Sequence, residues 1–440
     1  MNYCKWLFLS VLCFCLIKTH PLFADDGDGP VITGSFKGSY QSFFEESSEK
    51  PDQDFYSEVQ LKINISNQLT DTVQYVASPL MQEHNEDWVE KEFRMVEDAI
   101  KRPGTTFHEL YFLVTAGDFE LSMGKKILSW GVADGCKATD VINPKDFMSV
   151  ADTLGNPDQH KIGVPVISLF LYGSMLNLQV VSVPIFTPNR LPLESSRWST
   201  TTSSSNPTTD IIWDRELPTR EQTENQGGLQ LSSSSLAEGW DLALNYYQGF
   251  SPVAVLVTKS VFPEIEIGLV YPEFHQVGFN FSTVWGDFEF HGEIAFHETR
   301  NELEDVDYEI YVLGLNYSWI YDLPDFFEKL NFILEFVDKE ISRERPDESP
   351  YYDSGGGQPA NESINGRIEV GIDADTKIEL MASVNYGDEN GYFFRTKLTH
   401  NLKDDLEIQL KYDAFDGTEE SYFGRWKDND QASMTITCFF

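Results

Sequence analysis

The chain has 440 residues, 41% of them hydrophobic and 23% charged, with a formal net charge of −39. So acidic a balance excludes nucleic-acid binding as the main function, because that needs clustered Lys and Arg. Beyond the N-terminal segment no run of about 18 apolar residues occurs, which excludes helical membrane spans but not a barrel, whose strands alternate in polarity.

Residues 1–24 read as a secretory signal. Lys5 gives a short positive start, Trp6 to Ile17 is an apolar run too short to span a bilayer as a helix, and Ala24 precedes the acidic stretch Asp25 to Gly29. Removing it takes away Lys5 and Lys18 but no acid, so residues 25–440 are more acidic still. It also removes Cys4, Cys13 and Cys15, leaving Cys136 and Cys438, which are predicted not to pair. The acidic excess suits outer loops that meet divalent cations and lipopolysaccharide; plain solubility of exposed loops is the other reading.

Strand-like segments follow with period-two alternation. The first three are 31–44, 55–66 and 70–81, with a turn at Asn67–Gln68. An insert at 83–106 carries a helical apolar stripe, Val89, Phe93, Val96 and Ile100, within 87–102. Strands 107–115 and 119–128 come next, then an insert at 129–164. Strands 165–171 and 175–183 precede the largest insert, 184–226, rich in Ser, Thr and Pro. Strands 227–234 and 240–249 are followed by an insert at 250–274. Strands 276–284, 288–298, 306–319 and 330–339 lead to an insert at 341–361. The last are 364–372, 377–386, 392–399, 406–412 and 431–440.

This reading predicts an all-β fold, a transmembrane antiparallel up-and-down barrel of about 18 strands, or about 16 if two weak segments fail. Short and long connections alternate without a parity error, as in barrels with short periplasmic turns and long extracellular loops. Late in the chain the two strand faces separate clearly. Ile364, Ile368 and Val370 oppose Arg367 and Glu369; Ile378 and Leu380 oppose Glu379; Phe394 and Leu398 oppose Arg395 and Lys397; Ile408 and Leu410 oppose Glu407 and Lys411. A Lys or Arg facing mid-membrane lipid costs about 2–4 kcal/mol. Arg367, Glu369, Glu379, Arg395, Lys397, Glu407 and Lys411 are therefore expected in the lumen.

The chain ends on ASMTITCFF, where Ala432, Met434, Ile436, Cys438 and Phe440 share one face. This resembles the final strand of bacterial outer-membrane proteins, which commonly finish in Phe. The resemblance implies that Met434, Ile436, Cys438 and Phe440 form a signal for the barrel-insertion machinery.

The most distinctive stretch is GKKILSWGVADGCKATDVINPKDF, residues 124–147. Trp130, Gly131, Asp134, Asn143, Pro144 and Asp146 resemble a largely uncharacterised, porin-like family of outer-membrane barrels with a Trp-Gly, a spaced Asp and an Asn-Pro-x-Asp loop. VPIFTPNRLP at 183–192, with Ser196, Arg197 and Trp198, has a similar character. The resemblance implies the barrel fold and the outer membrane of a Gram-negative bacterium rather than an activity. Trp130 is expected at the aromatic ring level of the barrel.

The function expected is that of a porin: passive or facilitated diffusion of small solutes, with cation preference. Residues 131–158 of the insert at 129–164 would fold inward and bring Asp134, Asp140, Asp146, Asp152 and Asp158 to the constriction. Alternatives are a loop packed on the rim, or a calcium site built from the same oxygens. His291 and His297, with Glu289 and Glu293, form either a metal or catalytic cluster or a hydrated lumen wall. No nucleophile elbow, phosphate loop or zinc-type spacing occurs, so no enzyme, catalytic residue, metal or cofactor is expected. The expected partners are outer-membrane lipid and lipopolysaccharide, the insertion machinery, a small-molecule solute and divalent cations. A plugged barrel acting as a structural, adhesive or partner-binding surface protein, and a barrel-embedded hydrolase, remain open beside the porin.

Overall fold

The computed structural model describes residues 29–45, 54–84, 106–155, 157–192, 196–199, 211–261, 265–321, 323–324, 327–353, 362–387 and 390–440. The signal expected at 1–24 and the helix expected within 87–102 lie outside these residues.

Alternating side chains make each segment a strand, and the strands pair in chain order. β1 (Val31–Phe43), β2 (Phe55–Thr70), β3 (Val73–His84), β4 (Thr106–Ala116), β5 (Phe119–Lys126), β6 (Val164–Leu171) and β7 (Asn177–Ser182) form one run. After β8 (Ile211–Glu216), which stands apart, the run continues with β9 (Gly227–Ala237) and β10 (Trp240–Phe250). β11 (Val255–Ser260) and β12 (Ile265–Val270) also stand apart, and β13 (Glu273–Trp285), β14 (Phe288–Thr299), β15 (Asp307–Trp319) and β16 (Lys329–Arg343) rejoin the wall. Beyond the short β17 (Tyr351–Asp353) come β18 (Ser363–Gly371), β19 (Thr376–Asn385), β20 (Gly391–Lys403), β21 (Leu406–Gly417) and β22 (Gln431–Phe439). β22 returns antiparallel to β1, with Phe439 opposite Ser35 and Gln431 opposite Phe43. The result is a closed antiparallel barrel of 18 strands. Closure leaves no unpaired edge, the condition for a sheet to sit in lipid.

Tight turns gather at one end. Residues 117–118, 238–239 and 286–287 join their strands with Gly117, Gly239 and Gly286 at φ 59°, 78° and 65°, angles that side-chain-bearing residues rarely adopt. The turn expected at Asn67–Gln68 lies instead at 71–72. Thr70 fixes it there, its Oγ1 accepting from the amides of Thr72 at 3.3 Å and Val73 at 3.1 Å.

The inserts 184–226, 250–274 and 341–361 are not only loops. They contribute β8, β11, β12 and β17 to a separate four-stranded sheet at the long-connection end, with β12 parallel to β8. Each strand is six residues or fewer, and its partners come from distant inserts, so no local pattern announces the sheet.

The outer wall carries large exposed apolar side chains in register. Phe112, Met123 and Ile167 stand opposite one another on β4, β5 and β6. So do Leu231, Leu244 and Phe279 on β9, β10 and β13, and Leu313, Phe336 and Ile364 on β15, β16 and β18. An apolar surface this extensive is unfavourable in water and fits a hydrocarbon band. The opposite face is not uniformly polar. Leu128, Trp130, Ile142, Val166, Val181, Tyr247 and Phe274 form one interior apolar cluster. Val150, Ala151, Trp198, Met381, Phe393, Phe415, Phe423 and Trp426 form another. Both are built by connections packing against inward side chains of the wall.

Candidate functional site: the inward segment 129–164

The connection between β5 and β6 enters the barrel. Among the described residues it touches β7, β13, β14, β15, β16, β18 and β20, and, through Asp152, both β1 and β21. A segment that reaches strands so far apart around the circumference crosses the lumen.

Its entry and exit are tied by Asn143. Asn143 Oδ1 accepts from the Leu128 amide at 2.8 Å, and Nδ2 donates to the Ile162 carbonyl at 2.8 Å. Asp140 accepts from the Trp130 amide at 3.3 Å and pairs with Lys161, both side chains being almost fully buried. Trp130 is 1% exposed, with Nε1 donating to Gln179 Oε1 at 2.9 Å. It is therefore a core residue and not a ring-level anchor, because the loop carries it inward onto Tyr247.

The segment is then held on one side by wall carboxylates. Glu293 on β14 accepts from the amides of Val132 (2.6 Å), Ala133 (2.9 Å) and Thr139 (2.9 Å), and from Thr139 Oγ1 (3.0 Å). Glu335 on β16 accepts from the amides of Asp134 (2.5 Å) and Gly135 (2.8 Å) and forms a 3.0 Å hydrogen bond with His291 Nε2. Gly131 makes this docking possible: its φ is 90°, and a Cβ there would lie 2.6 Å from Glu293 Oε1.

The other side is held by bases. Arg395 on β20 donates to the Ala151 carbonyl at 2.7 Å and to Asp413 Oδ1 at 2.5 Å. Lys411 on β21 pairs with Asp152, which also accepts from Gln41 Nε2 at 3.2 Å. These contacts fix the short helix Val150–Gly155. Acids thus grip backbone N–H groups, and bases grip a carbonyl and a carboxylate. Each contact satisfies a group that burial would otherwise penalise.

The five aspartates expected at the constriction do lie in the segment, but each meets a cation. Asp134 pairs with Arg367 at 3.0 Å, Asp140 with Lys161, Asp146 with Arg190 at 2.7 Å, Asp152 with Lys411, and Asp158 with Lys137 at 2.6 Å and Lys161 at 2.7 Å. Asp140 and Asp158 share Lys161 while the other three pair with separate bases, so the five do not converge on one calcium cage. Burial opposes the Asp152 charge, but Lys411, Arg395 and His160 outweigh it and hold the carboxyl well below its ordinary range. Burial likewise opposes the Asp158 charge, and Lys137 and Lys161 lower its carboxyl. Burial pushes the Cys136 thiol up to about 12. Cys136 and Cys438 are both free.

Of the lumen candidates, Arg367, Arg395 and Lys411 touch the inward segment. Glu369 pairs with Lys377 at 3.2 Å, and Glu379 with Lys397 at 2.9 Å. Glu407 accepts from Gln409 at 2.8 Å. His291, His297 and Glu293 do not form a hydrated wall, being at most 5% exposed; Glu293 is covered by the segment, His297 lies between the rings of Phe274 and Tyr308, and Glu289 is half-buried. Asp134, His291 and Glu335 bring ligand-type atoms within 4.8 Å of one another, but Arg367 and two amides already occupy the carboxylates. Of the insertion-signal residues, Met434, Ile436 and Cys438 pack on Phe36, Leu406 and Ile408, while Phe440 exchanges backbone hydrogen bonds with Gly34 at 2.8 and 3.0 Å.

Sequence reasoning missed Glu335, Lys161 and Arg190. Glu335 had a signal, a single carboxylate within Phe-Ile-Leu-Glu-Phe-Val. The stretches 124–147 and 183–192 also meet: Lys145 N donates to Asn189 Oδ1 at 2.7 Å, and Arg190 pairs with Asp146.

No family model matches the chain, and no curated protein sequence does. Among solved structures, a variant of the Rh. blastica porin aligns over 93% of this chain and 100% of its own, at 12% identity and a TM-score of 0.42. OmpT, an outer membrane protein of Vibrio cholerae folded in vitro, aligns over 96% and 99%, at 8% identity and a TM-score of 0.39. At such loose overlap the fold rests on the strand pairing described above.

Proposed function

We propose that the chain is an outer-membrane channel of a Gram-negative bacterium for small solutes, in which segment 129–164 narrows the lumen. The observation that carries this reading is the segment's attachment to both sides of the barrel interior, by Glu293 and Glu335 on one side and Arg395 and Lys411 on the other. A filter must hold its position against thermal motion, and these charge-assisted contacts do that. A net cation preference draws support from the acidic excess of the chain, not from the five aspartates, whose charges are met locally. The test is single-channel conductance in a planar bilayer with a salt gradient. Discrete steps are expected, with a reversal potential of cationic sign, and larger steps after deletion of residues 135–139. Unchanged conductance in a folded deletion variant would remove the constriction role.

A plugged barrel is the second reading, favoured by the two interior apolar clusters and by a cavity beside the segment of only ≈ 170 Å³. Silence from folded protein in the same bilayer would favour it. Turnover on lipid or peptide substrates would bring back the hydrolase.

A further inference from the structure

The cavity between segment 129–164 and the wall has features that the filter reading does not use. Its volume is ≈ 170 Å³, and Phe147, Ile310, Met381 and Phe423 are among its lining residues. An enclosed apolar space of about 150 Å³ is large enough to take a benzene ring. Its aromatic and aliphatic walls favour a small ring-bearing solute, and inorganic phosphate gains nothing from them.

Two residues of this lining, Lys145 and His297, hold a polar group that has no partner among the described residues. The inward segment holds three lysines, Lys137, Lys145 and Lys161. Lys137 and Lys161 are neutralised by Asp158 and Asp140. Lys145 lines the cavity, and its ammonium has no carboxylate among the described residues. Its backbone is fixed from both directions, the amide donating to Asn189 Oδ1 at 2.7 Å and the carbonyl accepting from the Arg190 amide at 3.0 Å. His297 also lines the cavity. Its ring lies between Phe274 and Tyr308, each centroid 4.3 Å away, and its buried Nδ1 has no hydrogen-bond partner. A buried polar atom without a partner is costly and marks a place where a ligand gains by supplying one.

We infer that this cavity is a binding site for a small monocyclic carboxylate of benzoate size, its ring on the apolar lining and its carboxylate toward Lys145. The inference rests on the lumen being a solute path and names the class of solute that pauses there. The free cation disfavours metal ions and amines. An apolar body gains about 25 cal/mol per Å² buried, which a small inorganic anion cannot collect.

The test is equilibrium binding of sodium benzoate to the folded protein in detergent, followed by calorimetry or ligand-observed NMR. Wild type is expected to bind benzoate, cyclohexanecarboxylate to compete, and benzylammonium to compete at least tenfold more weakly. Lys145→Met, which keeps the stem and removes the charge, is expected to weaken benzoate at least tenfold while potassium chloride conductance persists. No benzoate binding to wild type overturns the site, as does equal competition by benzylammonium or undiminished binding in a folded K145M. The competition series needs no variant, so a misfolded K145M leaves the test intact. The channel reading fails separately: a silent bilayer with benzoate still bound rejects the path and not the site, whereas conduction without benzoate binding rejects the site alone.

Discussion

Glu293 is the residue on which the inward segment depends most directly. Its carboxylate accepts four hydrogen bonds from residues 132, 133 and 139. Leaving a buried donor unsatisfied costs about 1–3 kcal/mol, so Glu293→Ala is expected to loosen the segment by at least about 3 kcal/mol. Limited proteolysis within 129–164 should become faster while the barrel keeps its heat-modifiable mobility on gels. Glu293→Gln, which keeps one acceptor oxygen, should lie between the two. Asp152 gives a pH signature. Its folded-state pKa is depressed, so its stabilisation is fully present above the unfolded value of about 3.9 and is lost as pH falls through and below it. Protection of the amides in the helix Val150–Gly155, with exchange corrected for its intrinsic pH dependence, should be steady from neutral pH to about 4 and fall below that. Asp152→Asn should exchange faster at neutral pH and lose this acid dependence.

At the scale of elements, closure depends on the register between β1 and β22. Phe440 N and O exchange hydrogen bonds with Gly34, and the Phe440 ring covers the space a Gly34 side chain would need, a Cβ there colliding with Cζ. Phe440→Ala removes this cover, and Gly34→Val collides with it. Both should lower the fraction of heat-modifiable, folded barrel after refolding, Gly34→Val more strongly, since the Lys62 carbonyl also lies 2.6 Å from the added Cβ. The motif stretch acts at this scale as well. Asn143, Asp140 and Asp146 shape the segment through backbone and ion-pair contacts. They build the frame of the segment, and the charge of each of its five expected aspartates is met by a nearby base.

Across the whole molecule, the exposed apolar belt and the filled interior belong to different solvents. Leu313 and Leu334 are 59% and 52% exposed on the outer wall. Arginine at either position should destabilise the barrel in vesicles by about 2–4 kcal/mol, read by denaturant titration, if that position sits near the bilayer midplane. The same substitution at inward Asn331, beside Glu369 at 3.2 Å, should cost far less.

The sequence by itself determined the strands. A period of two places every second residue on one face, and 18 alternating segments whose connections mostly alternate between short and long point to a closed antiparallel sheet. It also determined that Arg367, Arg395 and Lys411 lie on the charged face, because that follows from their place in the alternation. Only the tertiary structure decided what the charged face meets. Glu293 and Lys411 are 118 positions apart, yet they hold opposite ends of one segment drawn from a third part of the chain. Local pattern records which way a side chain points, not which distant amide, carboxylate or ring arrives there. The same holds for the sheet of β8, β11, β12 and β17, whose strands are too short to declare themselves, and for Lys145, whose place beside the cavity and lack of a carboxylate partner among the described residues follow only from the packed segment.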